Sequence, residues 1–155
     1  MTPRPKRPVA LLDVNLLVAL FDADHVHHDL AHDWFADQRT HGWASCPITE
    51  TGLVRVLSNP RYGSPSGSVA NILDRLLAFR ASGHHEFWEA SVSLADTGLF
   101  SPAHIRGHAQ VTDAYLLGLA WKKGGSLATF DRSISMAVVP GIGRETLQVI
   151  GAVEG

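Results

Sequence analysis

"LATFD" (Leu127–Asp131) is an apolar run that ends in a carboxylate, and "LLD" (Leu11–Asp13) repeats the arrangement near the other end of the chain. Neither run alternates apolar with polar residues, the pattern of a parallel strand covered on both faces. Working outward, "VALL" (Val9–Leu12) is the first predicted strand, and "NLLVALF" follows it as a short helix. From His27 to Gln38, Leu30, Ala31, Trp34 and Phe35 recur at helical spacing. "WASC" (Trp43–Cys46) reads as a second strand. "PITETGLVRVL" starts a helix at Pro47, and Asn59-Pro60 stops it. "RYGSPSGS" (Arg61–Ser68) is loop by composition, and Val69, Ile72, Leu73, Leu76, Leu77 and Phe79 line an amphipathic helix that ends near Ser82-Gly83. "HEFW" (His85–Trp88) is a third strand, and Glu89–His108 is expected to form two short helices. "AYLLGLAW" (Ala114–Trp121) is apolar all round, which predicts a buried helix with Lys122 and Lys123 in its last turn and Gly124 as cap. "SLATF" and a closing "LQVI" (Leu147–Ile150) complete the strands. Strands alternate with helices, without repeats or an internal linker, so the expectation is one α/β domain with a mainly parallel central sheet between two helical layers.

The bulk numbers narrow the function classes. A chain of 155 residues suits one domain, and 45% hydrophobic with 18% charged residues is ordinary globular composition. No apolar run reaches the roughly 18 residues that span a bilayer, and Asp13 and Asp22 interrupt anything resembling a signal peptide, so a cytoplasmic protein with no membrane partner is expected. The single Cys46 excludes an internal disulfide and a cysteine-rich zinc site. A net charge of −2 does not announce a nucleic-acid binder, although the remainder becomes weakly basic once four acids are set aside for a metal. Residues 1–8, with three prolines and three basic residues, read as a flexible tail, and 9–155 as the folded domain.

The strand ends carry the chemistry. In an open parallel sheet, ligands sit outside the carboxyl ends of the strands. Asp13 and Asp131 close two strands, while Glu50 and Asp113 fall in the first turns of helices that begin at the same edge. Two carboxylates about 6 Å apart repel by roughly 3 kcal/mol at an effective dielectric of about 20. A gathered set therefore takes up protons or binds cations, and all-oxygen ligands select magnesium or manganese. Such ions, singly or as a pair, activate water for phosphodiester hydrolysis. Asn15, Thr112 and Thr129 stand beside these acids, positioned to hydrogen-bond carboxylates or substrate. Each acid alone is an ordinary helix-terminal residue. Their common edge is what points to a site.

At these residues the chain resembles a PIN-domain ribonuclease, specifically the VapC toxins of bacterial type II toxin–antitoxin modules. The matching pieces are "LLDVNLLVALFDADHVHHDLAHDWF", "ITETGLVRVLSNP" and "GHAQVTDAYLLGLAWKKGGSLATFD", about half the chain and in order. The resemblance implies a PIN-like three-layer α/β/α domain and a Mg²⁺-dependent endoribonuclease, with Mn²⁺ as a substitute. It also implies a homodimer inhibited by a small cognate antitoxin, with autoregulation of transcription by the complex. Carried over by position, Asp13, Glu50, Asp113 and Asp131 are the catalytic acids and metal ligands. Asp13 and Asp113 are the direct ligands, while Glu50 and Asp131 hold a second ion or orient water. The basic tail before Val9 is longer than the family usually carries, and Asp96 is a further acid that could join the cluster.

Competing patterns fit less well. His28 and His32 stand four apart on a helix, but "HDLAH" lacks the Glu that follows the first histidine of the helical zinc-protease motif, so the histidines read as surface residues. A strand-end aspartate nucleophile would need a placed lysine, and only Lys6, Lys122 and Lys123 exist. Arg55, Arg61, Arg106 and Arg132 are candidate phosphate contacts, and Trp34 and Phe35 could instead form a groove for an antitoxin segment. The alternative from another class is a non-catalytic PIN-like module that binds RNA or protein without a divalent metal.

Overall fold

The computed structural model describes residues 7–63 and 67–151. Five strands, β1 (Ala10–Leu12), β2 (Trp43–Ser45), β3 (His85–Phe87), β4 (Ser126–Thr129) and β5 (Leu147–Val149), form one sheet in the order β3-β2-β1-β4-β5. Every neighbouring pair is parallel. The five helices are α1 (Val14–Phe21), α2 (His28–Gln38), α3 (Pro47–Ser58), α4 (Val69–Phe79) and α5 (Val111–Lys122).

Alternation along the strands sorts the helices into two layers. Ala10, Leu12, Trp43 and Ala128 face a core built from α1, α2, α3 and α4. Leu11, Ala44 and Leu127 face the other way, onto α5 and the buried Trp88, Leu99 and Phe100. Both faces being covered explains why β1 and β4 read as uninterrupted apolar runs. This is the three-layer α/β/α arrangement expected from the sequence.

Gly124, with φ +72°, ends α5 where the sequence placed a cap, and its N–H donates to the Trp121 carbonyl at 3.0 Å. Gly118 serves a different need. A Cβ there would stand 2.3 Å from Cζ of Phe100, so only glycine lets α5 lie against that ring.

One expectation fails. The segment 89–108 contains no α-helix, only turns and the 3-10 turn Pro102–His104, with a second such turn at His108–Gln110. Trp88, Leu99 and Phe100 anchor it to the α5 side of the sheet, and these anchors do not repeat at helical spacing. Asp96 caps its own turn by accepting from the Gly98 N–H at 3.0 Å and is exposed. Of the basic tail, residues 1–6 lie outside the described residues. Arg7 pairs with Asp37, and the Pro8 carbonyl accepts from Gln38 Nε2 at 3.0 Å.

Candidate active site at the carboxyl edge of the sheet

The strand order reverses between β1 and β4, and Asp13 and Asp131 leave the sheet at that reversal. Asp13 is buried and is the N-cap of α1. Its Oδ1 accepts from the Val14 N–H at 2.8 Å, and its Oδ2 accepts from the Thr129 hydroxyl at 2.7 Å. Thr129 is fully buried at the end of β4 and joins the two strand ends. Its oxygen also accepts from Asn15 Nδ2 at 3.2 Å and from the Asp131 N–H at 3.0 Å. Asn15 Oδ1 in turn accepts from the Phe130 N–H at 3.3 Å. Asn15 and Thr129 therefore tie the α1 start to the loop after β4.

Asp113 enters from the first turn of α5 and completes a trio. Burial pushes its pKa up to about 7, and the charges of Asp13 and Asp131, with a hydrogen bond to Asp131, push the same way. Burial likewise raises Asp13, against the opposing bonds from Thr129 and Val14. Asp131 moves down, chiefly because the Ser133 hydroxyl donates to it at 2.6 Å and the Ser133 N–H at 2.8 Å. The result is one strongly held carboxylate, one buried carboxylate, and between them an acid half protonated near neutrality. Thr112, expected to assist here, is exposed within α5, whose N-cap is Gln110.

Glu50 occupies the first turn of α3 in a hydrogen-bonded group of its own, and it is not among the charges that raise Asp113. The Ser45 hydroxyl donates to Glu50 Oε2 at 2.6 Å. Because that proton is committed, His85 must donate from Nε2 to the Ser45 oxygen, 2.8 Å away. Arg80 stands 3.6 Å from the same carboxylate. Burial, and then the Arg80 charge, hold the His85 pKa down to about 4. Ser45 and His85 escaped the sequence reading because the pairing of β2 with β3 brings them together, and Arg80 joins them from the end of α4. The Asp-x-Ser turn at Asp131–Ser133 could have been read from its spacing.

Of the four arginines, Arg55, Arg61, Arg106 and Arg132 are all exposed, and Arg132 donates to the Gly151 carbonyl at 2.9 Å. His28 and His32 are not idle surface residues. Their rings bond the Ala19 and Leu20 carbonyls at 2.7 and 3.1 Å, satisfying the last turn of α1.

The PIN-domain family model matches residues 10–139, the span that carries all of these acids. The chain belongs to the PIN-domain family. Relatives in Mycobacterium tuberculosis include Ribonuclease VapC44, 47% identical over 141 residues, which cover 91% of this chain and 99% of that protein. Ribonuclease VapC38 of the same organism is 45% identical over 126 residues, 81% of this chain and 87% of the relative. The family is thus the VapC branch of the PIN domains. The fold agrees with a crystal structure of M. tuberculosis VapC20, described as a sarcin–ricin-loop cleaving toxin. That structure covers 84% of this chain and 95% of its own at TM-score 0.59 and 15% identity.

The donor set of this PIN domain fits a hard divalent cation. Every side chain at the trio offers oxygen, and Asp113 is held up first by burial and then by the neighbouring charges of Asp13 and Asp131. Among the described residues, no three His, Cys, Asp or Glu side chains close around one point. A cation held here would fill its remaining positions with water, as magnesium commonly does. Among the described residues, no helix is long and apolar enough to cross a membrane.

Proposed function

We propose that this chain is the toxin of a type II toxin–antitoxin pair, a Mg²⁺- or Mn²⁺-dependent endoribonuclease neutralised by a cognate antitoxin and acting as a homodimer. The observation that carries the reading is Asp113, raised to about 7 beside Asp13 and Asp131 at the point where the strand order reverses. Burial and the charges of Asp13 and Asp131 disfavour the ionised form of this acid, and a cation joining the trio would relieve that. The relatives named as VapC ribonucleases support the substrate class.

Asp13, Asp113 and Asp131 are the residues that would hold the ion. When bound, it supplies an activated water and neutralises the oxygen that leaves phosphorus. The chain's own part is largely positional. Thr129 fixes the Asp13 carboxylate, and Ser133 fixes that of Asp131. Asp113, raised to about 7, would release its proton on taking up the ion. Glu50, aligned by Ser45 apart from the trio, would hold a second ion or orient water. No side chain attacks phosphorus, so no covalent intermediate forms.

The test is induced expression in a bacterial host, with the 5′ ends of total RNA mapped by sequencing. Wild type should arrest growth and create discrete new ends, and co-expressed antitoxin should relieve both effects. Asp13→Asn at equal abundance should do neither. Growth arrest without new RNA ends would contradict the reading.

A further inference from the structure

Beside the acids lies a group of aromatic rings that the proposed chemistry does not use. Phe130 stands between Thr129 and Asp131, its backbone pinned by Asn15. The His27 ring lies 5.0 Å from the Phe130 ring at an interplanar angle of 31°, and the His25 ring lies 5.7 Å beyond that of His27. We propose that His27, backed by Phe130, is a stacking platform for an unpaired nucleobase next to the scissile phosphate. This rests on the ribonuclease reading and adds a base-binding subsite to it.

Three observations carry the assignment. His27 is the N-cap of α2, a position that favours Ser, Thr, Asp or Asn, yet its side chain makes no capping bond. The sequence gives up a helix cap and keeps an exposed ring. Second, Val26, between the two histidines, is 86% exposed, an uncovered apolar residue on the same loop. Third, the neighbouring His28 and His32 spend ring nitrogens on backbone carbonyls, whereas the His27 ring packs, tilted, against the Phe130 ring. Burial and the nearby His27 keep His25 below its ordinary pKa.

The chemistry of the edge makes such a platform useful. Three aspartates repel a phosphate backbone, and the chain as a whole carries −2. Stacking holds RNA without opposing charge, and aromatic or imidazole faces accept any unstacked base. A base on His27 would place its own phosphate at the edge that Phe130 shares with Asp131. A base stacked between neighbours in a duplex offers no free face, which selects single-stranded or looped RNA.

The probes are random-sequence single-stranded RNA 12-mers, each pool carrying one abasic nucleotide at a fixed position. They are cleaved with Mg²⁺ by wild type, His27→Ala and His27→Phe, and the products are sequenced. For wild type, KM should rise about five- to 150-fold when the abasic nucleotide lies at one particular distance from the cut. His27→Ala should show that higher KM on intact RNA and no further rise at that distance, with kcat little changed. His27→Phe should restore the wild-type profile, which a merely structural role would not predict. A His27→Ala profile that superimposes on wild type would overturn the platform while leaving the ribonuclease intact. Absence of cleavage by wild type in Mg²⁺ and Mn²⁺ would remove the ribonuclease reading and the platform with it.

Discussion

Replacing Asp113 by asparagine should stabilise the metal-free protein at pH 8. The amide keeps the size of the carboxyl group and can still donate to Asp131, but it removes a negative charge from a trio that lacks compensation. Moving an acid from 3.8 to about 7 corresponds to roughly 4 kcal/mol. The side chain is only partly buried, so screening reduces the usable figure to about 1–2 kcal/mol. For a domain of this size that is a gain of about 3–6 °C in Tm. The folded state holds the Asp113 proton more tightly than the unfolded state does. That stability is therefore full below about pH 4 and is lost as pH rises through about 7. At pH 5 only the first part of that stability has been lost, so the gap between the two proteins should be clearly smaller than at pH 8. The assay is scanning calorimetry in EDTA at both pH values, repeated with excess Mg²⁺ at pH 8, where the wild type should gain and the variant should not. A variant that melts at or below the wild-type temperature at pH 8 in EDTA would refute the reasoning.

Other residues give sharper local tests. Thr129→Val should lower stability by about 1–3 kcal/mol, because it leaves the Asp13 carboxylate and the Asp131 N–H without their shared buried partner. Cleavage should fall at least about tenfold, read by urea denaturation and initial rates on one RNA. Gly118→Ala should cost about 1–3 kcal/mol by driving a methyl group into Phe100, again read by urea denaturation. His85 has a depressed folded pKa, so its contribution is present above 6.5 and is lost as pH falls towards about 4. His85→Gln should flatten the pH dependence of Tm in that window and nowhere else.

Much of the fold was legible because both faces of the sheet are covered. β1 and β4 could then be only apolar runs, and the acids at their ends stood out against them. The α3 boundaries were equally legible, since Pro47 and Asn59-Pro60 are local signals. Segment 89–108 was not, because Trp88, Leu99 and Phe100 pack at irregular spacing dictated by α5. Asp13, Asp113 and Asp131 were named from sequence and meet at one edge. The surroundings of Glu50 could not be foreseen, since Ser45 and His85 are 40 residues apart and meet through strand pairing. The His25–His27 loop looked like ordinary surface for a related reason. Only the fold brings it against Phe130.

The most direct measurement is cleavage of purified cellular RNA by the antitoxin-free protein, with Mg²⁺, with EDTA, and with Asp113→Asn shown to be folded. The account predicts discrete cuts that require both the ion and Asp113. Cuts that persist in EDTA or in the Asp113 variant would contradict it, as would an inert wild type that binds Mg²⁺ and melts as a native protein.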